Sequence, residues 1–326
     1  MTRIPWSERY SRWRAPLDVL LGCYPAFAFG GRLNPKILPV FHFHEVTPSY
    51  LRPFLEHLSK NGYRTGSVED ILEVAKNGKE PSPKTVVLTF DDAWSSLWTV
   101  AAPLLEELGM QAITFAIPGR VSTQPGVRDT IRNRPELTDL GDAGEEPFCR
   151  WDELRQLDKG NVISVESHTF AHEQIPVSKE ATGIWTAEDC ERVSLLSRPL
   201  VWSGEESFRP YDEREIGSPK LITHARMSDV PAFRGEAAEN AAEQRAAIQK
   251  DLVQCREVFE KELGRPTRLL CFPWTIGGKV AREEAAVVGY EAAFADSFPG
   301  KRYVHKASSP FRLMRLKHEW ILKLPG

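Results

Sequence analysis

From residue 37 onward, short β-prone apolar runs alternate with stretches of helical periodicity, and this alternation constrains the fold more than any other feature. The runs at 37–43, 85–90 (TVVLTF), 112–117, 162–166, 268–272, 292–295 and 311–316 are too short for buried helices. Their β-branched and aromatic content reads as strands. Between them, Leu51, Phe54, Leu55 and Leu58 recur at helical spacing until Gly62. Ser67, followed by Glu69 and Asp70, opens a second helix over 67–76. A third follows the TVVLTF run as far as Leu108, and a short one covers 151–157. The longest, over 241–263, places Ile248, Leu252, Cys255, Phe259 and Leu263 on one face. Asn240 with Glu243 reads as its capping box, and Gly264 and Pro266 end it. A last helix lies near 280–288. Strands joined through helices predict an α/β fold with a parallel sheet, open or closed into a barrel. Residues 121–147 read as a long loop. Residues 177–236, with weak periodicity, read as an insertion.

The 326 residues suit one large domain, and the 41% apolar and 27% charged content is that of a globular chain. With 42 basic against 45 acidic side chains there is no global basic field, so no nucleic-acid partner is expected. Five cysteines at wide spacing, with no C-x-x-C, argue against a disulfide framework and a thiolate zinc site, and fit a reducing compartment. Residues 1–36 read as an N-terminal extension packed on the domain. Arg3, Arg9, Arg12 and Arg14 surround Trp6, Tyr10 and Trp13 there, and peripheral contact with a membrane surface is the alternative. Pro16, Asp18 and Pro25 interrupt the only early apolar stretch, which therefore reads neither as a signal peptide nor as a span.

Two motifs carry chemistry. Asp91 and Asp92 end the TVVLTF run, where parallel sheets present reactive groups. Adjacent carboxylates there call for a cation or a proton, unless one is a helix cap and the other is solvated. His168 and His172 follow another β-prone run, and four-residue spacing lets two imidazoles converge on one ion. Two histidines plus a carboxylate form a common catalytic metal set, used by zinc and by non-haem iron.

Thr89-Phe90-Asp91-Asp92-Ala93-Trp94 resembles the T-F-D-D-G-[YW] motif of the polysaccharide deacetylases (carbohydrate esterase family 4, the NodB-homology domain). Ser167-His168-Thr169-Phe170-Ala171-His172 is similar to the S-H-T-x-x-H motif of that family. Val40 to Val46, with His44, resembles its opening strand, and Trp151-Asp152-Glu153-Leu154 the segment before the histidine motif. Phe272-Pro273-Trp274 is similar to its F-P-Y motif, and Arg312 to Leu316 to its closing strand. The resemblance covers 37–176 and 240–318. It implies a distorted (β/α) barrel with a large insertion. It also implies metal-dependent removal of an acyl group from an amino sugar, with a divalent metal, zinc by preference. By position, Asp92, His168 and His172 would hold the metal and Asp91 would be the catalytic base.

The sequence departs from the pattern in three places. Ala93 replaces Gly, which is tolerable unless the turn needs positive φ. Leu270-Cys271 stands where many members carry an arginine that orients the base, leaving Arg268 or Arg315 to substitute. The late acid histidine has no clear match. His318 and His305 are the candidates, and the acid stays unassigned. His42 and His44 read as buried on their strand, either supporting the residues of the site or filling the core. Trp274 is the candidate for stacking on a sugar, with a core role as the alternative, and Trp185 and Trp202 are weaker ones. The expected activity is deacetylation of an N-acetylated sugar in a surface glycan or its precursor, such as O-antigen, met in the cytoplasm or at its membrane. The alternatives are a deformylase of a lipid-linked amino sugar and a non-catalytic carbohydrate-binding protein on the same fold.

Overall fold

The computed structural model describes residues 14–136, 146–188, 200–202, 208–210, 216–234 and 237–326. The arginines and aromatics of 1–13, Cys190 and the side chain of Trp202 lie outside the described residues. Seven strands form the main path of an eight-stranded sheet: β1 (Val40–Phe43), β2 (Thr85–Asp92), β3 (Ala112–Ala116), β4 (Ile163–Ser167), β5 (Leu269–Cys271), β6 (Ala292–Phe294) and β7 (Leu316–Lys317), while the short strand Arg64–Thr65 pairs parallel with the start of β2 off this path. Their spatial order is β6-β5-β4-β3-β2-β1-β7, and every neighbouring pair is parallel.

The sheet curls until its two edges share one segment. Leu313 exchanges backbone hydrogen bonds with Ala293 and Ala295 on one edge. Leu316 and Lys317 then pair with Phe41 and His42 on the other. The chain is therefore a distorted (β/α) barrel, and 313–317 closes it. The last strand expected at 311–316 is shorter than its apolar pattern suggested, because the chain crosses from one edge to the other within it.

Period-two alternation sorts the strand residues into layers. Val40, Val87, Ile113, Phe115, Leu269, Cys271, Ala292, Phe294 and Leu313 share an inner cluster with the apolar face of the helix Val68–Ala75. Their neighbours Phe41, Phe43, Leu88 and Phe90 pack outward against Leu51, Phe54, Leu55 and Leu58 of α1 (Pro48–Lys60). Leu270, Phe272 and Ala293 pack outward against Ile248 and Leu252 of α2 (Ala241–Leu263). Burial on both faces is why these strands read as continuous apolar runs. The helix at 67–76 opens with the Ser67–Asp70 capping box, and α2 with the Asn240–Glu243 box. The helix expected after β2 is instead a π-helical turn, Leu97–Ala101, followed by Ala102–Glu107.

Within the stretch read as an irregular insertion, Gln174–Ile184 pairs antiparallel with Pro219–Ala225. Its strand character was hidden because most of the first strand is exposed on both faces, so no apolar alternation marks it. A buried ion pair clamps the base of this arm, with Arg226 Nη1 at 2.7 Å from Glu239 Oε2. Cys23, Cys149, Cys255 and Cys271 are free and buried.

Candidate metal centre and active site

The chemistry-bearing residues gather at the C-terminal ends of β1, β2, β4 and β5 and on the closing segment. Asp91 continues the inward parity of Val87 and Thr89. Asp92, one residue on, would point outward if the strand ran straight. It instead takes φ +72°, and Ala93 follows at +56°. The turn after β2 therefore does need positive φ, and Ala93 occupies it without glycine's freedom. Left-handed backbone at a non-glycine residue costs roughly 1–2 kcal/mol. The reversal brings both carboxylates to one site. Thr169, His172, Trp274 and Thr275 are also left-handed, so strained backbone clusters here.

Asp92, His168 and His172 converge. His168 Nε2 lies 3.4 Å from Asp92 Oδ1, and His172 Nε2 lies 3.9 Å from the same oxygen. Ligand atoms about 2.0–2.1 Å from a tetrahedral cation sit roughly 3.3 Å apart, so the spacing is close to that of a metal set. The second coordination layer is also present. His168 Nδ1 donates to the Cys271 carbonyl at 2.6 Å, which leaves Nε2 as the ligating nitrogen. Trp94 Nε1 donates to Asp92 Oδ2 at 3.0 Å and leaves Oδ1 toward the imidazoles. That Oδ1 is buried and has no hydrogen-bond donor among the described residues. Burial works against a charged His168, but Cys271, Asp92 and Asp91 outweigh it and hold the imidazole well above its ordinary pKa. The pocket draws positive charge, and the donor set fits a divalent cation.

Asp91 is held by Arg315. Nη1 donates to Oδ1 at 2.6 Å and Nη2 to Oδ2 at 2.7 Å. The guanidinium also donates to Thr89 Oγ1 and Cys271 Sγ, both at 2.9 Å, and its Cζ lies 5.4 and 5.5 Å from the ring centroids of Phe115 and Phe294, which pack edge to face on each other. Burial opposes ionisation of Asp91, but the charge and hydrogen bonds of Arg315 prevail and keep it far below the carboxylate range. Arg268 turns elsewhere, to Glu291 and Glu69.

His44 differs from its reading as a buried residue, though it does stand beside the site. Its side chain is 54% exposed because it stands just past the end of β1, and its Nε2 lies 3.8 Å from Asp91 Oδ2. The alternation that turns His42 inward carries His44 to the same side, and that was the available signal. Burial holds His42 well below its ordinary pKa, so it stays neutral. His318 stacks on Phe43 and bonds through its two ring nitrogens to the Tyr50 hydroxyl and the His42 carbonyl. Trp274 packs against the His172 ring at 4.2 Å between centroids. Trp185 lies under the ammonium of Lys220, on the arm. Asp251, on α2, had no signal in the sequence beyond its helix. Its carboxylate accepts from the backbone N–H groups of Phe170 and Ala171 at 2.9 and 3.3 Å, between the two histidines. Burial pushes it up to about 7.

Two outcomes follow from these contacts. Asp251→Ala frees the loop that sets the spacing of His168 and His172, and should weaken metal affinity about 10–100-fold, read by competition with a chelating dye. Arg315→Met leaves Asp91 buried without its partner, a loss of about 3–5 kcal/mol in urea unfolding at neutral pH. The depressed pKa means the stabilising pair is intact above the ordinary carboxylate range and is lost only as pH falls through the lower folded-state value. In Arg315→Met the Asp91 pKa rises, so the acid limb of any activity profile should move upward, while bound metal is retained.

Residues 78–195 match the family model for polysaccharide deacetylase. A poly-beta-1,6-N-acetyl-D-glucosamine N-deacetylase of Escherichia coli is 25% identical over 252 residues, which are 77% of this chain and 31% of that protein. The chain thus spans about a third of that relative's length. A de-N-acetylase from Aggregatibacter actinomycetemcomitans superposes with a TM-score of 0.58 at 16% identity, over 86% of this chain and 95% of that one. A deacetylase domain from Bordetella bronchiseptica gives 0.57 at 16% identity, over 87% and 97%. The two structures share the fold, and the matched segment, which carries the Asp-Asp and His-x-x-x-His motifs, is similar to the polysaccharide deacetylase family.

Proposed function

We propose that this chain is a divalent-metal-dependent deacetylase acting on the N-acetyl group of an amino sugar in a surface glycan or its precursor. One observation carries the reading: an ionised Asp91, fixed by Arg315, stands beside the Asp92–His168–His172 set at one end of the barrel. The N-deacetylase activity of the Escherichia coli relative supports a hexosamine substrate. Zinc, met by two imidazoles and one carboxylate, is the metal this donor set favours. We keep residues 37–326 as one catalytic unit interrupted by 177–236, and place its substrate on the cytoplasmic side. No helix among the described residues is long and apolar enough to cross a membrane.

A cation held by Asp92, His168 and His172 supplies Lewis-acid polarisation of the amide carbonyl and acidifies water. Asp91 takes the proton of the attacking water as its oxygen bonds to the acyl carbon. Arg315 keeps that carboxylate ionised and aimed. The C–N bond then breaks, and the leaving nitrogen needs a proton. We assign that proton to His44, which is exposed and faces Asp91. His318 is not chosen, because both its ring nitrogens are engaged by Tyr50 and His42. The products are acetate and the free amine. Trp274, beside His172, is our candidate for contact with the sugar face.

Turnover on N-acetylglucosamine oligomers, with metal content measured alongside, tests the assignment. Asp91→Asn should keep its metal and lose about 10²–10⁴-fold in kcat, the usual range for a lost general base. Asp92→Asn should lose metal, with partial recovery in excess zinc. Full activity in both variants would remove this site from the reaction. His44→Ala should keep its metal and lower kcat over a similar range, with partial rescue by added imidazole. An unchanged kcat would place the proton donor elsewhere.

A further inference from the structure

The N-terminal helix, Arg14–Leu20, is amphipathic in the reverse sense. Asp18 is fully buried and paired with Arg302 at 2.8 Å, while apolar neighbours face solvent. Leu17, Leu20 and Leu21 are 39%, 80% and 50% exposed, and they lie on one helical face, with Leu21 N–H bonded to the Leu17 carbonyl. Val19 and, in the following turn, Phe29 are exposed as well. A buried carboxylate beneath a row of exposed leucines is the arrangement that marks an interaction surface.

The charge around this surface is mostly basic, although Arg14 also pairs with Asp296 at 2.7 Å. Arg14 lies over the exposed ring of Phe298, and Lys301 bonds to the carbonyls of Leu21 and Gly22 at the helix end. Residues 1–36 carry six basic and two acidic side chains in a chain whose net charge is −3, and one of the two acids is the neutralised Asp18. Trp6, Tyr10 and Trp13 stand among the arginines that precede the helix. Exposed leucine and phenylalanine flanked by cations and by Trp and Tyr is the composition of a segment that lies in a bilayer interface.

We propose that this end of the molecule is an interfacial surface that docks the protein on anionic phospholipid through Leu17, Leu20, Leu21 and Phe29. The apolar side chains enter the headgroup boundary. The cations meet the negative surface, at about 1 kcal/mol for each basic residue near it. The acidic remainder of the chain is then turned away from the bilayer, which orients the molecule.

Vesicle sedimentation of the full chain tests this. At about 0.1 M salt the protein should sediment with phosphatidylglycerol–phosphatidylcholine vesicles and not with phosphatidylcholine alone, and at about 0.5 M binding should weaken as screening shortens the field. Leu20→Glu with Leu21→Glu should lower the bound fraction at least tenfold, with an unchanged melting temperature, since both side chains are largely exposed. Leu20→Ala with Leu21→Ala should give an intermediate loss. Absence of wild-type binding to anionic vesicles, or equal binding by the glutamate variant, overturns the proposal. So does a wild-type dimer that the glutamate variant dissociates, without any vesicle binding, since the face would then belong to a second copy. None of these residues touches the metal set, so either outcome leaves the deacetylase reading where it stands.

Discussion

The buried pair between Arg315 and Asp91 is the interaction on which the rest of this structure turns. Arg315 belongs to the five-residue segment that bonds both edges of the sheet, and Asp91 lies at the far end of β2. One bidentate contact therefore ties barrel closure to the aim of the carboxylate beside the metal set. A guanidinium inside a barrel is costly unless its donors are met, and here Asp91, Thr89 and Cys271 meet those on Nη1 and Nη2, while Nε is buried with no acceptor among the described residues. The adjoining rings of Phe115 and Phe294 lower the dielectric around the guanidinium and strengthen the pair.

A second constraint is the backbone at the mouth of the barrel. A straight strand would send Asp91 and Asp92 to opposite faces. Left-handed conformations at Asp92 and Ala93 bend the chain, and others at Thr169 and His172 bend the histidine loop back to it. Aspartate tolerates this geometry better than alanine does. Asp251 holds the histidine loop through two backbone N–H groups, and Trp94 holds the Asp92 carboxylate. The strained turns persist because the surrounding contacts over-determine them.

Two parts of the molecule stand apart from this tightly packed end. The arm at 174–184 and 219–225 is anchored at its base, where Ile175 and Ala225 are buried and Arg226 meets Glu239. The N-terminal helix is docked through Asp18 and Arg302 and keeps its leucines outside. Neither contributes to the metal set, so both are free to vary in what they meet without disturbing the chemistry.

The parallel α/β architecture was legible in the sequence because strands buried on both faces leave continuous apolar runs, and helices leave caps and 3.6-residue spacing. The Asp-Asp and His-x-x-x-His pairs were legible for a related reason: local chain geometry alone carries each pair to a strand end. The base-holding arginine was legible only as a choice between Arg268 and Arg315, because their sequence distances from Asp91 say nothing about which one points inward. The grip of Asp251 on the histidine loop and the strand pairing of the arm were hidden, since each depends on partners far away in the chain, whereas the direction of His44 could be read from strand alternation. By itself the sequence determined which elements form and which residues end the strands. The tertiary structure alone decided how the barrel closes, which arginine meets Asp91 and which face of the first helix stays outside, because those outcomes rest on contacts between segments that no local pattern connects.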